Sequence, residues 1–157
     1  MRLSPHFTLR ELTRSQLAAR RGIENRPAVG EIENLKRLCT EILEPVRAAF
    51  GVPFSPSSGF RSPAVNQALG GATGSQHTRG EAVDFELPGI ANQTLARWIR
   101  DNLEFDQLIL EFPDAEDGSG GWVHCSLVAD GNRRQVLTRT RAGYSPGLGG
   151  DDMCQIG

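Results

Sequence analysis

The sequence predicts an α+β fold in which amino-terminal helices pack on a small, mostly antiparallel sheet. Two observations predict this class. In the first half of the chain, apolar residues recur at helical spacing; after residue 80, three short segments alternate apolar and polar residues with the period of a strand. A length of 157 residues suffices for one buried core. We therefore assign residues 1–141 to a single domain and residues 142–157 to a glycine-rich, loose tail.

The helical half contains recognisable start and stop signals. Residues 32–50 carry apolar side chains at helical spacing, and Pro45 is expected to bend this helix near its end. Ser62 followed by Pro63 is typical of a cap and a first-turn proline, so a short helix is expected to begin there. Asn92 is expected to cap a later helix.

Each of the three alternating segments presents one titratable side chain opposite its apolar row. They are residues 82–87 with Asp84, residues 107–112 with Glu111, and residues 122–127 with His124. A fourth strand is predicted at residues 135–140. If the strands pair in one sheet, the three titratable side chains lie on the same face, and the apolar rows cover the core.

Composition excludes several classes of function. Seventeen Lys and Arg against nineteen Asp and Glu leave a net charge of −2, which disfavours a protein that binds nucleic acid by neutralising phosphates. No apolar run approaches the roughly 20 residues of a membrane span. The first residues lack the apolar core of a signal peptide, so we expect synthesis in the cytoplasm and export, if any, by another route. We also expect a monomer.

The cysteines are not predicted to carry chemistry. Cys39, Cys125 and Cys154 are far apart and lack C-x-x-C spacing, which disfavours a disulfide framework and a thiolate metal site. Cys125 follows His124 directly, but neighbours in a strand point to opposite faces. Cys125 is therefore interpreted as a small buried apolar residue.

The residues that suggest chemistry are two histidines and one carboxylate. His77 lies in a loop shortly before Asp84, and the predicted sheet brings His124 to the same face. Three such ligands leave the fourth position of zinc open for water, although the same set also suits non-haem iron. Glu111 is the candidate general base, and Arg61 is a candidate for binding a substrate carboxylate or an oxyanion.

Three segments resemble the M15 family of zinc peptidases. Residues 75–84, SQHTRGEAVD, resemble its S-x-H-x-x-G-x-A-x-D signature; residues 122–124, WVH, resemble its W-x-H element; residues 58–62, SGFRS, resemble its S-G-[FY]-R-S element. They follow one another in the family's order. The resemblance implies that the zinc ligands are His77, Asp84 and His124. It also implies that Arg61 acts on substrate and transition state, and that Ser75 binds substrate or orients the ligand loop.

One position departs from the family pattern. Many members carry the catalytic acid three residues before the last histidine, where this chain has Gly121. Either Glu111 serves as the base, or an acid in the loop at 114–117 does so. We favour Glu111, because a strand holds a side chain more rigidly than a loop.

The function expected from the resemblance is hydrolysis of an amide bond in the peptide stem of bacterial peptidoglycan by a zinc-dependent enzyme. It would act as a D-alanyl-D-alanine carboxypeptidase or an L-alanyl-D-glutamate endopeptidase. A phage or prophage lysis enzyme, released through a holin or carried in a virion, is the expected setting. A non-catalytic zinc protein of the wall or virion is the alternative. An iron oxygenase is disfavoured, because its usual H-x-D spacing is absent.

Overall fold

Helices occupy most of the first half of the chain, and strands most of the second. The computed structural model describes residues 1–113 and 120–149. The α-helices are α1 (Leu9–Thr13), α2 (Gln16–Arg21), α3 (Val29–Leu38), α4 (Glu44–Phe50), α5 (Pro63–Ala68) and α6 (Asn92–Asn102). A π-helical segment, Cys39–Leu43, joins α3 to α4, and a 3-10 helix covers Gln76–Arg79. The strands are β1 (Ala82–Phe85), β2 (Gln107–Glu111), β3 (Trp122–Ser126), β4 (Gln135–Thr140) and β5 (Gly143–Pro146).

The five strands form one mixed sheet in the order β1-β3-β2-β4-β5. All neighbouring pairs are antiparallel except β2 and β4, which run parallel. The predicted α+β class with a mostly antiparallel sheet is confirmed. β3 is paired on both sides, with β1 and β2, and the chain then crosses from β3 past β2 to place β4 on the far side of β2.

The apolar rows of the strands and the helices build one core. β1, β2 and β3 contribute buried side chains at alternate positions, and α3, the π-helical segment, α4 and α6 supply the opposite layer. The largest fully buried side chains include Phe7, Phe85, Phe105, Leu35, Leu38, Ile42, Leu95, Ile99 and Leu108. Because these apolar rows face the helices, the polar side chains at the intervening strand positions share the other face of the sheet.

The long helical stretch is interrupted just before Pro45. Glu44 donates its backbone N–H to the carbonyl of Cys39, five residues earlier, which makes this turn π-helical. Proline has no N–H to donate, and a locally widened turn accommodates it. The helix then continues to Phe50, and Gly51 ends it with a φ of +68°.

Two expectations about local structure are wrong. Asn92 is the first residue of α6 rather than its cap, and its side-chain amide instead donates to the carbonyls of Gly120 and Gly121, each at 3.2 Å. This contact ties α6 to the segment that enters β3.

The described part of the chain contains no helix with the length and apolar character needed to cross a membrane.

The predicted loose tail from residue 142 is also partly wrong. Residues 143–146 form β5, which pairs with β4, and Leu148 is fully buried. The Thr138 hydroxyl donates to the carbonyl of Gly147 at 2.7 Å. An unpaired β4 edge accepts this segment despite its glycines, because backbone pairing needs no particular side chains. Residues 150–157 lie outside the described residues.

Candidate metal centre and cleft

His77 is held by a 3-10 turn that packs against α3. Ser75 caps the turn, its hydroxyl accepting the His77 N–H at 3.3 Å. Gly80 ends the turn with a φ of +71°, and a β-carbon there would lie 2.6 Å from the carbonyl oxygen of Glu31. The glycine therefore permits both the left-handed conformation and the close approach of the turn to α3.

Asp84 and His124 stand directly opposite each other on β1 and β3. Nδ1 of His124 lies 2.9 Å from Oδ1 of Asp84, and Nε2 of His77 lies 3.3 Å from Oδ2 of the same carboxylate. One potential ligand atom from each of the three residues lies within 4.8 Å of the other two. The structure thus brings together all three residues that the sequence predicts as metal ligands.

The orientation of His77 and the ionisation of Asp84 suit a bound cation. Nδ1 of His77 donates to the carbonyl of Gly59 at 2.8 Å, so Nε2, on the side of Asp84, is the ring nitrogen that could bind a metal. Burial raises the pKa of the Asp84 carboxyl, but His77 and His124 outweigh it and hold that pKa well below its ordinary value. An ionised carboxylate and imidazole nitrogens facing one another are the donor set of a divalent transition metal.

Arg61 reaches the same carboxylate from the segment before α5. Its Nη2 lies 3.3 Å from Oδ2 of Asp84, and its Nε donates to the Ser58 hydroxyl at 3.0 Å. Its backbone is fixed as well, because the Arg61 N–H donates to the carbonyl of His77 at 3.0 Å. Arg61 is therefore oriented towards the cluster by contacts on both its side chain and its backbone.

Glu111 lies on the same face of the sheet, at the end of β2. Its side chain is 7% exposed, and Oε2 has no hydrogen-bond partner among the described residues. Burial raises the pKa of its carboxyl, with a further contribution from Asp84, while Arg139 and His124 oppose the shift. A raised pKa suits a group that must accept a proton and then return it near neutral pH.

The structure gives a steric reason for the missing acid at position 121. Gly121 has a φ of +71°, and a β-carbon built on it would overlap the carbonyl oxygen of Glu111. The backbone immediately before β3 thus approaches the end of β2 too closely for any side chain. Of the two candidate bases, Glu111 lies beside the cluster, and the loop at 114–117 lies outside the described residues.

The cluster lies in an open cleft with a volume of about 790 Å³. Arg61, Ser75, the three potential ligands and Glu111 all line it. Pockets of roughly 300–1,000 Å³ accommodate molecules of drug-like size, so a short peptide segment fits here. The walls are rich in charged groups, as expected of a site for a polar substrate.

Other residues of the cleft were not identified from the sequence. Asp106 accepts from the Arg133 guanidinium, with the closest contact 2.7 Å, and from the Gln76 amide at 2.9 Å. Arg139 and Tyr144 form part of the wall beside Glu111. The alternation in residues 135–140 puts the Arg139 side chain on the other face of the strand from Val136 and Thr138. No sequence signal shows which strand lies next to β4.

Fold and site together present the two-histidine, one-carboxylate donor set of a metalloenzyme on the open face of an α+β sheet. A family model described as Peptidase M15 matches residues 5–126, and the chain belongs to this family of metallopeptidases. No curated protein shows significant similarity to the chain. The family match ends at the last residue of β3, so β4 and β5 lie beyond it.

Proposed function

We propose that this protein is a zinc-dependent peptidase that hydrolyses an amide bond in the peptide stem of bacterial peptidoglycan. The observation that carries the proposal is the cluster of His77, Asp84 and His124 in an open cleft, with the buried Glu111 beside it, in a chain of the M15 family. Zinc held by these three residues would lower the pKa of water at its open position to about 7 and polarise the scissile carbonyl.

The chain's own groups supply the remaining functions. Glu111 accepts the proton of the attacking water and returns it to the leaving amine, a role favoured by its burial and raised pKa. Arg61 offers guanidinium N–H groups beside Asp84, where they stabilise negative charge that develops on the substrate carbonyl oxygen. His77 is kept in the ligating tautomer by the carbonyl of Gly59.

Digestion of purified peptidoglycan by the zinc-loaded protein tests the proposal, with products identified by mass spectrometry. Glu111→Gln is expected to lower the rate of product release about 10²- to 10⁴-fold while keeping the zinc content of the wild type. His124→Ala is expected to lose both zinc and activity. Glu104→Gln is the matched control, because this glutamate side chain is 74% exposed.

Product masses distinguish release of a terminal D-alanine from cleavage within the stem. Full activity in Glu111→Gln would assign the base to the loop at 114–117 instead. Absence of any product from folded, zinc-bound wild type would overturn the peptidase proposal for this substrate. A phage or prophage setting, with release by a holin or carriage in a virion, stays a prediction.

Gly121 favours a second candidate, a non-catalytic zinc protein that binds the wall or forms part of a virion. The acid that many relatives carry at this position has no room here, since its β-carbon would overlap the backbone of Glu111. Zinc-dependent sedimentation with peptidoglycan, without products and unchanged in Glu111→Gln, would support this candidate.

A further inference from the structure

One row of side chains across the sheet extends the cleft beyond the metal ligands. Trp122 lies opposite Glu111, Glu111 lies opposite Arg139, and Arg139 lies opposite Tyr144. His124 is two residues from Trp122 on β3 and therefore points to the same face. All of these side chains line the same cleft. Arg139 and Tyr144 lie beyond residue 126, where the family match ends, so family membership assigns them no role.

Two aromatic rings hold the Arg139 guanidinium in place. Its Cζ lies 5.1 Å from the ring centroid of Phe112 and 5.2 Å from that of Tyr144. Stacking against rings restricts the plane of the guanidinium but leaves its N–H groups available at the edge. The Arg139 side chain is 42% exposed, so these groups are accessible from the cleft.

The guanidinium N–H groups of Arg139 donate no hydrogen bond within the described part of the chain, although they face the Glu111 carboxylate. Its closest acidic contact joins Nη1 to Oε2 of Glu111 at 3.7 Å, which is longer than a hydrogen bond. The other three arginines of the cleft each donate to oxygen atoms of the same chain: Arg61, Arg79 and Arg133. Arg139 is thus the cleft arginine whose donors remain available to a ligand.

We propose that Arg139 binds a carboxylate of the substrate on the Glu111 side of the scissile amide. A planar guanidinium with parallel N–H groups matches a carboxylate in two simultaneous hydrogen bonds. Because Arg139 is adjacent to Glu111 in the sheet, the bound carboxylate lies close to the group that we propose as the base. The inference rests on the proposed peptidase function and specifies its substrate as a peptide with a free carboxylate near the cleaved bond.

The carboxylate has two sources, the chain terminus of the peptide or an acidic group within it. Two pairs of synthetic stem peptides separate them. In each pair, one member carries a carboxylate that the other carries as a carboxamide. The converted group is the chain terminus in the first pair and an internal acidic group in the second. Steady-state kinetics are compared for zinc-loaded wild type, Arg139→Gln and Arg139→Lys. Arg141→Gln serves as control, because Arg141 is exposed and lies outside the lining of this cleft.

We expect Arg139→Gln to raise KM about 10- to 100-fold for the carboxylate member of one pair and to leave its carboxamide member unchanged. Arg139→Lys is expected to recover part of the loss, since it keeps the charge without the planar fork. The pair that responds identifies the source of the carboxylate. An equal fall in kcat for all four peptides would overturn the inference, because Arg139 would then act through Glu111. Unchanged kinetics in Arg139→Gln would overturn it too.

A binding measurement keeps this inference separate from the peptidase proposal. The four peptides are titrated into zinc-loaded wild type and Arg139→Gln by calorimetry. If the wild type cleaves none of the peptides or the wall, the proposed function fails. The carboxylate site is then still supported if Arg139→Gln weakens the binding of the carboxylate peptide about tenfold or more and leaves the binding of its carboxamide partner unchanged. Equal affinities in the two proteins, or no binding at all, would overturn it.

Discussion

Gly121 directly precedes β3. Replacing it by alanine should both destabilise the fold and displace the backbone of Glu111. Its φ of +71° is in the left-handed region, where a β-carbon costs about 1–2 kcal/mol. The added β-carbon would overlap the carbonyl oxygen of Glu111 and lie 2.7 Å from that of Phe112. Forcing extra atoms into a packed region costs typically about 1–3 kcal/mol. We therefore expect the free energy of unfolding to fall by about 2–5 kcal/mol.

Urea denaturation followed by far-ultraviolet circular dichroism measures this loss. Gly131→Ala is the matched control, because its φ is +78° but a β-carbon there meets nothing within 4 Å. The control isolates the cost of the left-handed backbone. Gly121→Ala should lose at least about 1 kcal/mol more than Gly131→Ala, which corresponds to a further fall in Tm of about 2–4 °C in a domain of this size.

Activity provides a second readout of the same substitution. The Glu111 backbone must move to admit the new atom, so product release from peptidoglycan should fall while the zinc content of the folded fraction is kept. A Gly121→Ala protein as stable as Gly131→Ala would refute the reasoning. It would mean that the approach of β3 to β2 is adjustable, and that the glycine is not sterically required.

Two further predictions concern the metal and the Asp106–Arg133 pair. Zinc at a hundredfold excess over its Kd should stabilise the protein by about 2.7 kcal/mol, so a chelator should lower the Tm measured by calorimetry by about 5–10 °C. Asp84→Asn should abolish this response to the chelator. A wild-type Tm that does not change with the chelator would contradict the metal site. Hydrogen bonds from Arg133 lower the pKa of Asp106 from 3.8 to about 2, so the pair stabilises the fold above pH 3.8 and its contribution is lost as the pH falls towards 2. Asp106→Asn should therefore lower the urea midpoint of unfolding at pH 7 but not at pH 2. Asp101→Asn, which removes an exposed ion pair, should leave the midpoint unchanged at both pH values. An equal fall of the Asp106→Asn midpoint at both pH values would show that the ion pair is not responsible.

The face of each strand on which a side chain lies was predictable from the sequence. Val83 and Cys125 are buried in the core while Asp84 and His124 line the cleft, as the alternation of apolar and polar residues indicates. This succeeded because alternation is a property of the local backbone and does not depend on which strand is the neighbour. The same rule puts Glu111 on the ligand face.

The surroundings of these side chains required the tertiary structure. The segment from residue 143 has the glycines of a loose tail, yet its backbone pairs with β4 and puts Tyr144 against Arg139. Asn92 resembles a helix cap, yet its amide holds the carbonyl of Gly121. Such contacts join residues far apart in the chain, and no local pattern records them.

The sequence by itself determined the α+β class, the buried faces of β1, β2 and β3, and the three side chains that could hold a metal, because each follows from local periodicity or a short motif. Only the tertiary structure decided the strand order, the steric need for Gly121 and the position of Arg139 beside Glu111. These depend on which strands meet, and strand pairing is set by packing of the whole core rather than by residues near one another in sequence.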